Sequence, residues 1–332
     1  MGRAAGEGRA PFFLTPWAGA LPMSAMSAPR ADLSDWVLVS LLGFIWGGSF
    51  LGIALAIEGF APLWVAAGRI AIAALVLVAL AHALGTGLPA LRAPGGGRIW
   101  AHCLGFAVFS NVLPFLLLSW AILHVSSGFA GITMAAVPLM VLPLAHLMLP
   151  GERMSALRLL GFLIGFAGVL VLIGLDAVQA ALMGEDDGLA RMACIAAAAC
   201  YAIGSINTRL CPPVSQLGYS AAGVMLAALI ILPVALLGAP WPDSPGAVSW
   251  LALLYLGLLP TGYATLLLVS IIRSAGPSFL SQVNYHVPVW SVLLGALVLG
   301  EEVPGRFMLA LAIILAGLML ARRKGLGARV AT

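Results

Sequence analysis

The chain carries one segment twice, and this duplication decides the predicted fold. Residues 137–168 read VPLMVLPLAHLMLPGERMSALRLLGFLIGFAG, and residues 287–317 read VPVWSVLLGALVLGEEVPGRFMLALAIILAG. Both copies pass from an apolar helix through a Gly-Glu turn into a second apolar helix that is rich in small residues. Because the two Val-Pro pairs are 150 residues apart, the pattern predicts a chain of two related halves.

The similarity between the halves extends upstream of this segment. Trp46 corresponds to Tyr201, and Pro114 corresponds to Pro260. The predicted divisions are a mobile cytoplasmic tail at 1–34, a first five-helix repeat at 35–176, a second five-helix repeat at 188–322, and a basic cytoplasmic tail at 323–332.

The composition places both halves in a membrane. Of the 332 residues, 62% are hydrophobic and 8% are charged, whereas about 25% are charged in soluble domains. Uncharged stretches follow one another along the chain, and most reach the roughly 17 to 25 apolar residues that cross a bilayer as a helix. The longest stretch, 99–151, is divided by a polar turn at 124–128. The chain is therefore predicted to be an all-α integral membrane protein with ten transmembrane helices.

Five helices in each half determine the relation between the halves. An odd number of spans brings the second copy into the bilayer upside down, so we expect a 5+5 inverted repeat. The distribution of basic residues then predicts the orientation. Thirteen of the 16 Lys and Arg lie on the side of the termini, and only Arg69, Arg191 and Arg306 lie on the other. By the positive-inside rule, both termini are expected in the cytoplasm of a bacterial cell with the protein in its inner membrane.

These repeated features resemble the EamA-type branch of the drug/metabolite transporter superfamily. The resemblance rests on the Trp-Gly pair, the mid-membrane prolines, the Gly-Glu turns, and the last helix of each half, which is rich in glycine and alanine. It spans roughly residues 35 to 322. The chain is similar in character to bacterial amino acid exporters of that branch, including aromatic amino acid exporters of the YddG type. The resemblance implies a ten-helix basket around a central cavity, lined mainly by the third, fourth, eighth and ninth helices, with contributions from the first and sixth.

No enzyme motif occurs in the sequence. The chain lacks Gly-x-Ser-x-Gly, His-Glu-x-x-His and a phosphate-binding Gly-Lys-Ser/Thr loop, and its acidic residues lie at or beyond the predicted helix ends. We therefore expect no catalysis, no cofactor and no metal site. The net charge of +4 comes from basic residues scattered over many loops, so it reflects membrane orientation and predicts no nucleic-acid partner. The expected partners are a small-molecule cargo and the lipid bilayer, and the protein is expected to be a monomer.

Polar and aromatic side chains inside the spans are the candidate cargo contacts. Positions 278, 281, 282, 285 and 289 of the ninth span share one helical face, and such a face must meet protein or a wet cavity. Interhelical hydrogen bonding is the alternative role for this face. The full predicted substrate-binding set is Trp46, Asn111, Met134, Tyr201, Asn207, Tyr263, Gln282, Asn284, Tyr285, His286 and Trp290. The predicted hinges are Pro114, Pro138, Pro260 and Pro288.

Three charged residues are assigned structural roles. Arg69 lies inside the second span, where it either pairs with Glu58 or contacts cargo, and pairing is the favoured role. Glu152 and Glu301 follow the glycines of the two Gly-Glu turns, where a carboxylate stabilises free backbone amides at a helix start.

The side-chain inventory limits the cargo. The only lysine is Lys324 in the C-terminal tail, which disfavours organic phosphates. Neutral and aromatic amino acids fit a cavity of amides, hydroxyls and aromatic rings, so the sequence predicts their export by alternating access, as a uniporter working down the cargo gradient. Two alternatives remain: a proton-coupled exporter of drugs or other metabolites that uses His286, and a membrane scaffold that transports nothing.

Overall fold

The computed structural model describes residues 33–149, 154–275 and 282–322. These residues are helical apart from short connections. Residues 1–32 of the predicted N-terminal tail, the predicted C-terminal tail, Glu152, and positions 278 and 281 of the ninth span lie outside the described residues.

Ten principal helices, α1 to α10, make up most of the described chain, and three of them consist of consecutive pieces. Their bounds are α1 Leu33–Ile57, α2 Pro62–Ala83, α3 Gly96–Ala121, α4 Ser127–Met148, α5 Ala156–Ile173, α6 Asp186–Leu210, α7 Gln216–Gly238, α8 Ala247–Leu256 continued by Gly257–Tyr263 and Ala264–Ala275, α9 Val283–Leu299 and α10 Gly305–Arg322. In the described ranges, nine of these helices are long and apolar enough to cross a bilayer, and α9 is an apolar helix of 17 residues. The prediction of an all-helical membrane protein is confirmed.

Successive helices are joined by short connections and run in alternating directions. We call the side on which α1 begins and α10 ends the N-terminal face, and the other side the opposite face. A short helix, Leu175–Leu182, links α5 to α6 on the opposite face. Since each half has five helices, the second half has the inverted orientation, as expected for an inverted repeat.

Helices of one half pack mainly on helices of the other half. The most extensive contacts join α5 to α10, α1 to α9, and α2 to α7. In addition, α8 packs on α1, and its counterpart α3 packs on α6. The two repeats are therefore interlaced, and any space at the centre of the protein has walls from both.

Small residues allow this close packing. A Cβ on Gly161 of α5 would lie 2.5 Å from the carbonyl oxygen of Gly317 in α10. A Cβ on Gly47 of α1 would lie 2.6 Å from the Trp290 Cβ in α9. Both distances are too short for real atoms, so larger residues would push the helices apart. In a bilayer, where lipid tails are as apolar as the helices, such close van der Waals packing drives association.

Glu301 connects the halves at the opposite face. Its carboxylate accepts hydrogen bonds from the backbone N–H groups of Ser127 at 2.7 Å and Gly128 at 3.1 Å, and from the Ser127 hydroxyl at 3.0 Å. These amides belong to the first turn of α4, where backbone donors lack intrahelical partners. Glu301 thus caps a helix in the other half of the protein, 174 residues away, and does not act on the helix that follows it in sequence.

Replacing Glu301 by alanine is expected to lower the apparent melting temperature of the detergent-solubilised protein. The variant removes a charged cap from α4, which corresponds to about 0.5 to 2 kcal/mol for a lost N-cap. Glu302→Ala is the matched control, because Glu302 is exposed and has no partner in the described chain. Equal melting temperatures of the two variants would contradict the assigned role.

Candidate functional site

A cavity of about 340 Å³ lies at the centre of the interlaced helices. This volume falls within the roughly 300 to 1,000 Å³ typical of small-molecule sites. Its walls come from α1 to α4 in the first half and from α6 to α9 in the second. The wall helices inferred from the family resemblance are all present, and α2 and α7 contribute as well.

The exposure of the wall residues indicates where the cavity opens. Along α1, Trp46 is half-buried, whereas Ile53, closer to the opposite face, is 1% exposed. Along α8, Thr261 is buried, and Leu268, closer to the N-terminal face, is half-buried. Gln216, the first residue of α7 at the N-terminal face, also lines the cavity. The cavity therefore opens towards the N-terminal face and is closed at the opposite face.

The wall contains irregular helix geometry at matching places in both halves. The π-helical turns Val108–Val112 in α3 and Gly257–Tyr263 in α8 both lie beside the cavity. In α8, Pro260 has no N–H to donate to the Leu256 carbonyl, and the Thr261 hydroxyl donates to this carbonyl instead, at 2.9 Å. Such interruptions of helix geometry are frequent at functional sites.

A similar side-chain bond occurs in the π-helical turn of α3, where Asn111 is the donor. Its Nδ2 donates to the Phe106 carbonyl at 3.1 Å, across the same five-residue spacing as the Thr261 bond. Pro114, a predicted hinge, begins the regular helix that follows this turn, and Pro138 similarly follows the 3₁₀ turn Met134–Ala136 in α4. Pro288 lies inside α9, whose described residues form one continuous α-helix.

Trp46 joins α1 to the irregular turn of α8. Its indole Nε1 donates to the Pro260 carbonyl at 3.1 Å, while its ring lies in the cavity wall. Nearby, the Tyr255 hydroxyl donates to the Ile45 carbonyl at 2.9 Å. Two hydrogen bonds between halves therefore hold α1 against α8 beside the cavity.

Arg69 of α2 is the only charged side chain among the described wall residues. It is 4% exposed. Its Nη2 and Nε donate to Thr261 Oγ1 at 3.1 and 3.4 Å, and its Cζ lies 3.7 Å from the centre of the Phe115 ring. The expected partner Glu58 is exposed and makes no ion pair with Arg69. The arginine is thus part of the cavity wall and has no acidic partner in the described chain.

Other polar groups of the wall have no protein partner. The Tyr201 hydroxyl, the Gln216 amide, and the hydroxyls of Ser110 and Ser220 line the cavity and make no hydrogen bond within the described residues. None of these unpaired polar atoms is fully buried. They therefore face cavity space, where water or a ligand can satisfy them.

Five of the predicted binding residues lie in the wall of this cavity, and they come from five different helices. They are Trp46, Asn111, Met134, Tyr201 and Asn284.

The other predicted residues of α9 lie outside the wall, because the helix presents a different face than expected. The face of α9 towards the cavity carries Asn284 and Val287. The Tyr285 ring instead packs on Arg322 of α10, with the ring centre 4.9 Å from the arginine Cζ. Gln282, directly before α9, is half-buried and lies outside the wall. Tyr263 of α8 is 43% exposed and also points away from the cavity.

His286 and Trp290 pack against α1. A Cβ on Gly43 would clash with the Cβ of His286, which shows how closely this histidine backs onto α1. Trp290 makes an edge-on contact with Phe44, with ring centres 5.1 Å apart. Both side chains therefore serve contact between helices and do not line the cavity.

Asn207 belongs to a separate polar cluster near the N-terminal face. Its Nδ2 donates to the His102 carbonyl at 2.8 Å, and its Oδ1 lies 2.9 Å from His102 Nδ1. The Tyr219 hydroxyl lies 3.3 Å from Asn207 Nδ2 and 3.2 Å from the Thr208 hydroxyl. This cluster joins α3, α6 and α7 and leaves little capacity for a ligand.

The wall residues of α2 and α7 are absent from the predicted site. One face of α7 carries Gln216, Ser220 and Val224 at intervals of four residues. The two polar residues at this spacing in an otherwise apolar helix could have predicted that α7 lines the cavity. Arg69 was recognised as unusual, but its position in the wall follows from the packing of α2 against α7 and α8.

The described residues hold no group of three or more His, Cys, Asp or Glu arranged to bind a metal ion. The wall combines one cation, hydroxyls, amides and aromatic rings. This set can bind a small polar molecule with an apolar part.

Asn207→Ala is expected to destabilise the protein without affecting ligand binding. The change breaks hydrogen bonds in a partly buried cluster, at a cost of about 1 to 3 kcal/mol. The control is Ser205→Ala, because Ser205 is exposed two residues earlier on α6. Thermal melts with and without amino acid ligands measure both quantities. A change in the ligand-induced shift that exceeds the control would contradict the structural role.

Comparisons with known proteins agree with this architecture. Residues 35–174 and 189–323 each match the EamA-like transporter family. The uncharacterized inner membrane transporter YedA of Escherichia coli strain K12 is 29% identical over 282 residues, which cover 84% of this chain and 87% of YedA. A solved crystal structure aligns with a TM-score of 0.63 at 24% identity, covering 88% of this chain and 98% of its own, and this likeness concerns the fold alone.

Two further relatives carry names that specify a cargo. The aromatic amino acid exporter YddG of Ancylobacter novellus is 29% identical over 296 residues, which cover 86% of this chain and 98% of YddG. The probable terminal-alkyne amino-acid exporter of Streptantibioticus cattleyicolor is 26% identical over 309 residues, covering 89% of this chain and 95% of that protein. With both halves matched to one family, the chain belongs to the EamA-like transporter family and is a multi-pass membrane transporter, not an enzyme.

Proposed function

We propose that the protein exports small neutral or aromatic amino acids across the bacterial inner membrane by alternating access. The observation that carries this proposal is the central cavity between the two interlaced repeats, which combines aromatic walls with unpaired polar groups. Two relatives that span most of this chain are named as amino acid exporters. A transporter of this kind needs no catalytic group, since it only has to bind the cargo and change its access.

The cavity chemistry matches an amino acid in two respects. Trp46, Phe106 and Phe115 supply aromatic surface for an apolar side chain. Tyr201, Asn284 and the other polar wall residues supply hydrogen-bonding groups for the charged ends of the molecule. Burying the cargo against both kinds of surface would favour amino acids with apolar side chains.

The direction of the opening supports export. The cavity opens towards the N-terminal face, and the positive-inside rule assigns this face to the cytoplasm. Cytoplasmic cargo would enter the cavity in this conformation. Release on the other side requires the contacts at the opposite face to loosen, and these include the Glu301 cap and the packing of Ser127–Thr133 on α9.

A scaffold without transport activity fits this interior less well. In a scaffold, polar side chains inside the membrane would serve as links between helices, and the cluster around Asn207 is of this kind. The Tyr201 hydroxyl and the Gln216 amide instead face open space without a protein partner in the described chain. Unpaired groups of this kind weaken helix association and are useful when a ligand completes them.

Tyr201→Phe is expected to raise the KM for phenylalanine flux in proteoliposomes roughly 2- to 10-fold, the equivalent of one lost hydrogen bond. The change removes a single hydroxyl from the cavity wall. Tyr263→Phe is the control, because it removes the same group from a tyrosine that faces away from the cavity. Labelled phenylalanine, methionine and threonine are tested in wild type, and the absence of saturable flux for all three would refute the proposed function.

Transport is expected to be uniport, without proton coupling. The described cavity wall contains no histidine and no carboxylate, and His286 lies against α1 outside the wall. An imposed pH gradient should therefore drive no accumulation of phenylalanine in proteoliposomes, in wild type or in His286→Ala. Accumulation that follows the gradient in wild type and disappears in His286→Ala would establish the proton-coupled alternative.

A further inference from the structure

Arg69 has unused hydrogen-bonding capacity directed at the cavity. Its bonds to Thr261 involve Nε and Nη2, while Nη1 makes no hydrogen bond within the described residues. In the described chain, Ser119 Oγ is the sole side-chain nitrogen or oxygen that is both fully buried and without a hydrogen-bond partner. Since Nη1 also has no partner among the described residues, it is not fully buried. Since the residue as a whole is 4% exposed, this accessible edge faces the cavity that Arg69 lines.

The guanidinium is held firmly but its charge is not neutralised. Thr261 Oγ1 and the face of Phe115 contact two of its surfaces, and both are neutral groups. A contact of this kind with an aromatic ring recovers only part of the cost of removing an arginine from water. The described wall contains no carboxylate, so the cavity carries one uncompensated positive charge.

A single carboxylate is the ligand group that fits this environment. Arginine presents parallel N–H groups that match the two oxygens of a carboxylate, and such pairs are strongest where water is excluded. The cavity wall offers one cation, so a doubly charged phosphate would remain half compensated. The Tyr201 hydroxyl also lines the cavity and makes no hydrogen bond within the described residues, so it can supply a further donor.

The described cavity wall offers no acidic group for an ammonium ion. With no acidic side chain in the described wall, an ammonium would meet only neutral oxygens and the repulsion of Arg69. The positive charge therefore favours molecules with a carboxylate, whether or not they also carry an amino group.

We infer that Arg69 is the carboxylate receptor of the cavity, and that it selects monocarboxylates with an apolar side chain over the corresponding amines. This inference rests on the proposed function in one respect, namely that the cavity is the cargo site. It goes further by naming the residue and the charge that define the cargo class, and it places non-amino acids such as aryl-alkanoates within that class.

The experiment compares three compounds of one carbon skeleton with the purified wild-type protein. Phenylalanine carries both charged groups, 3-phenylpropionate carries only the carboxylate, and phenethylamine carries only the ammonium. We expect phenylalanine and 3-phenylpropionate to raise the melting temperature in a concentration-dependent way, and phenethylamine to have no effect. Stabilisation by phenethylamine with none by 3-phenylpropionate would overturn the inference without any variant.

Variants then test whether Arg69 is responsible. Arg69→Gln should weaken binding of 3-phenylpropionate roughly 10- to 100-fold, as expected for the loss of a charge-assisted pair. Arg69→Lys keeps the charge but loses the parallel donors, and it should retain intermediate affinity. Arg98→Gln is the matched control, because Arg98 is exposed near the start of α3 and has no partner in the described chain. Unchanged carboxylate affinity in a folded Arg69→Gln protein would overturn the assignment.

Flux measurements separate this inference from the proposed function. Carboxylate binding that depends on Arg69, together with absent flux of phenylalanine, methionine and threonine, would support the receptor and refute amino acid export. Saturable phenylalanine flux that Arg69→Gln leaves unchanged would support export and overturn the receptor. If Arg69→Gln fails to fold, Thr261→Val serves instead, because it removes the hydroxyl that orients the guanidinium. The selectivity for carboxylate over amine should then fall, and unchanged selectivity would count against the inference.

Discussion

The absence of water from the bilayer core is the constraint on which this structure depends. Each backbone N–H and C=O inside hydrocarbon must be paired within the protein, so the spans are helical and irregular backbone occurs only where protein or a cavity surrounds it. The π-helical turn in α8 is consistent with this rule, because the Thr261 hydroxyl donates to the Leu256 carbonyl, to which Pro260 has no N–H to donate. The same constraint places the polar side chains at the centre, away from lipid.

The central cavity forms because the two repeats are interlaced. Each half alone would expose the small-residue faces that pack on the other half, as Gly161 packs on Gly317. With the halves interlaced, the irregular turns of α3 and α8 lie beside one cavity, and hydrogen bonds such as Trp46 to Pro260 cross between the repeats. Closure at one face and opening at the other then follow from unequal packing, with the Glu301 cap on the closed side.

Two kinds of polar interior coexist in this protein, and they differ in function. The cluster of His102, Asn207 and Tyr219 is mutually hydrogen-bonded and holds three helices together. The groups around the cavity are held in place but left incomplete, as in the case of Arg69, whose Nη1 has no acceptor in the described chain. Residue type alone does not distinguish the two, because an asparagine or tyrosine suits either environment.

The sequence by itself determined the fold class, the number of helices and the duplication. These follow from the hydropathy, the charge distribution and the repeat period. An apolar segment of about 20 residues crosses hydrocarbon as a helix, so the number of such segments gives the number of helices. It also predicted Trp46, Asn111 and Tyr201 as cavity residues, and all three lie in the cavity wall.

Only the tertiary structure decided which side of each helix faces the cavity. On α9, Asn284 reaches the wall while Tyr285 packs on Arg322, although the two are neighbours in sequence. Glu301 caps a helix 174 residues away, and Arg69 contacts Thr261 from the other repeat and not Glu58. The physical reason is common to all three cases: a helix has the same internal hydrogen bonds in every rotation about its axis, so its orientation depends on the packing of distant partners.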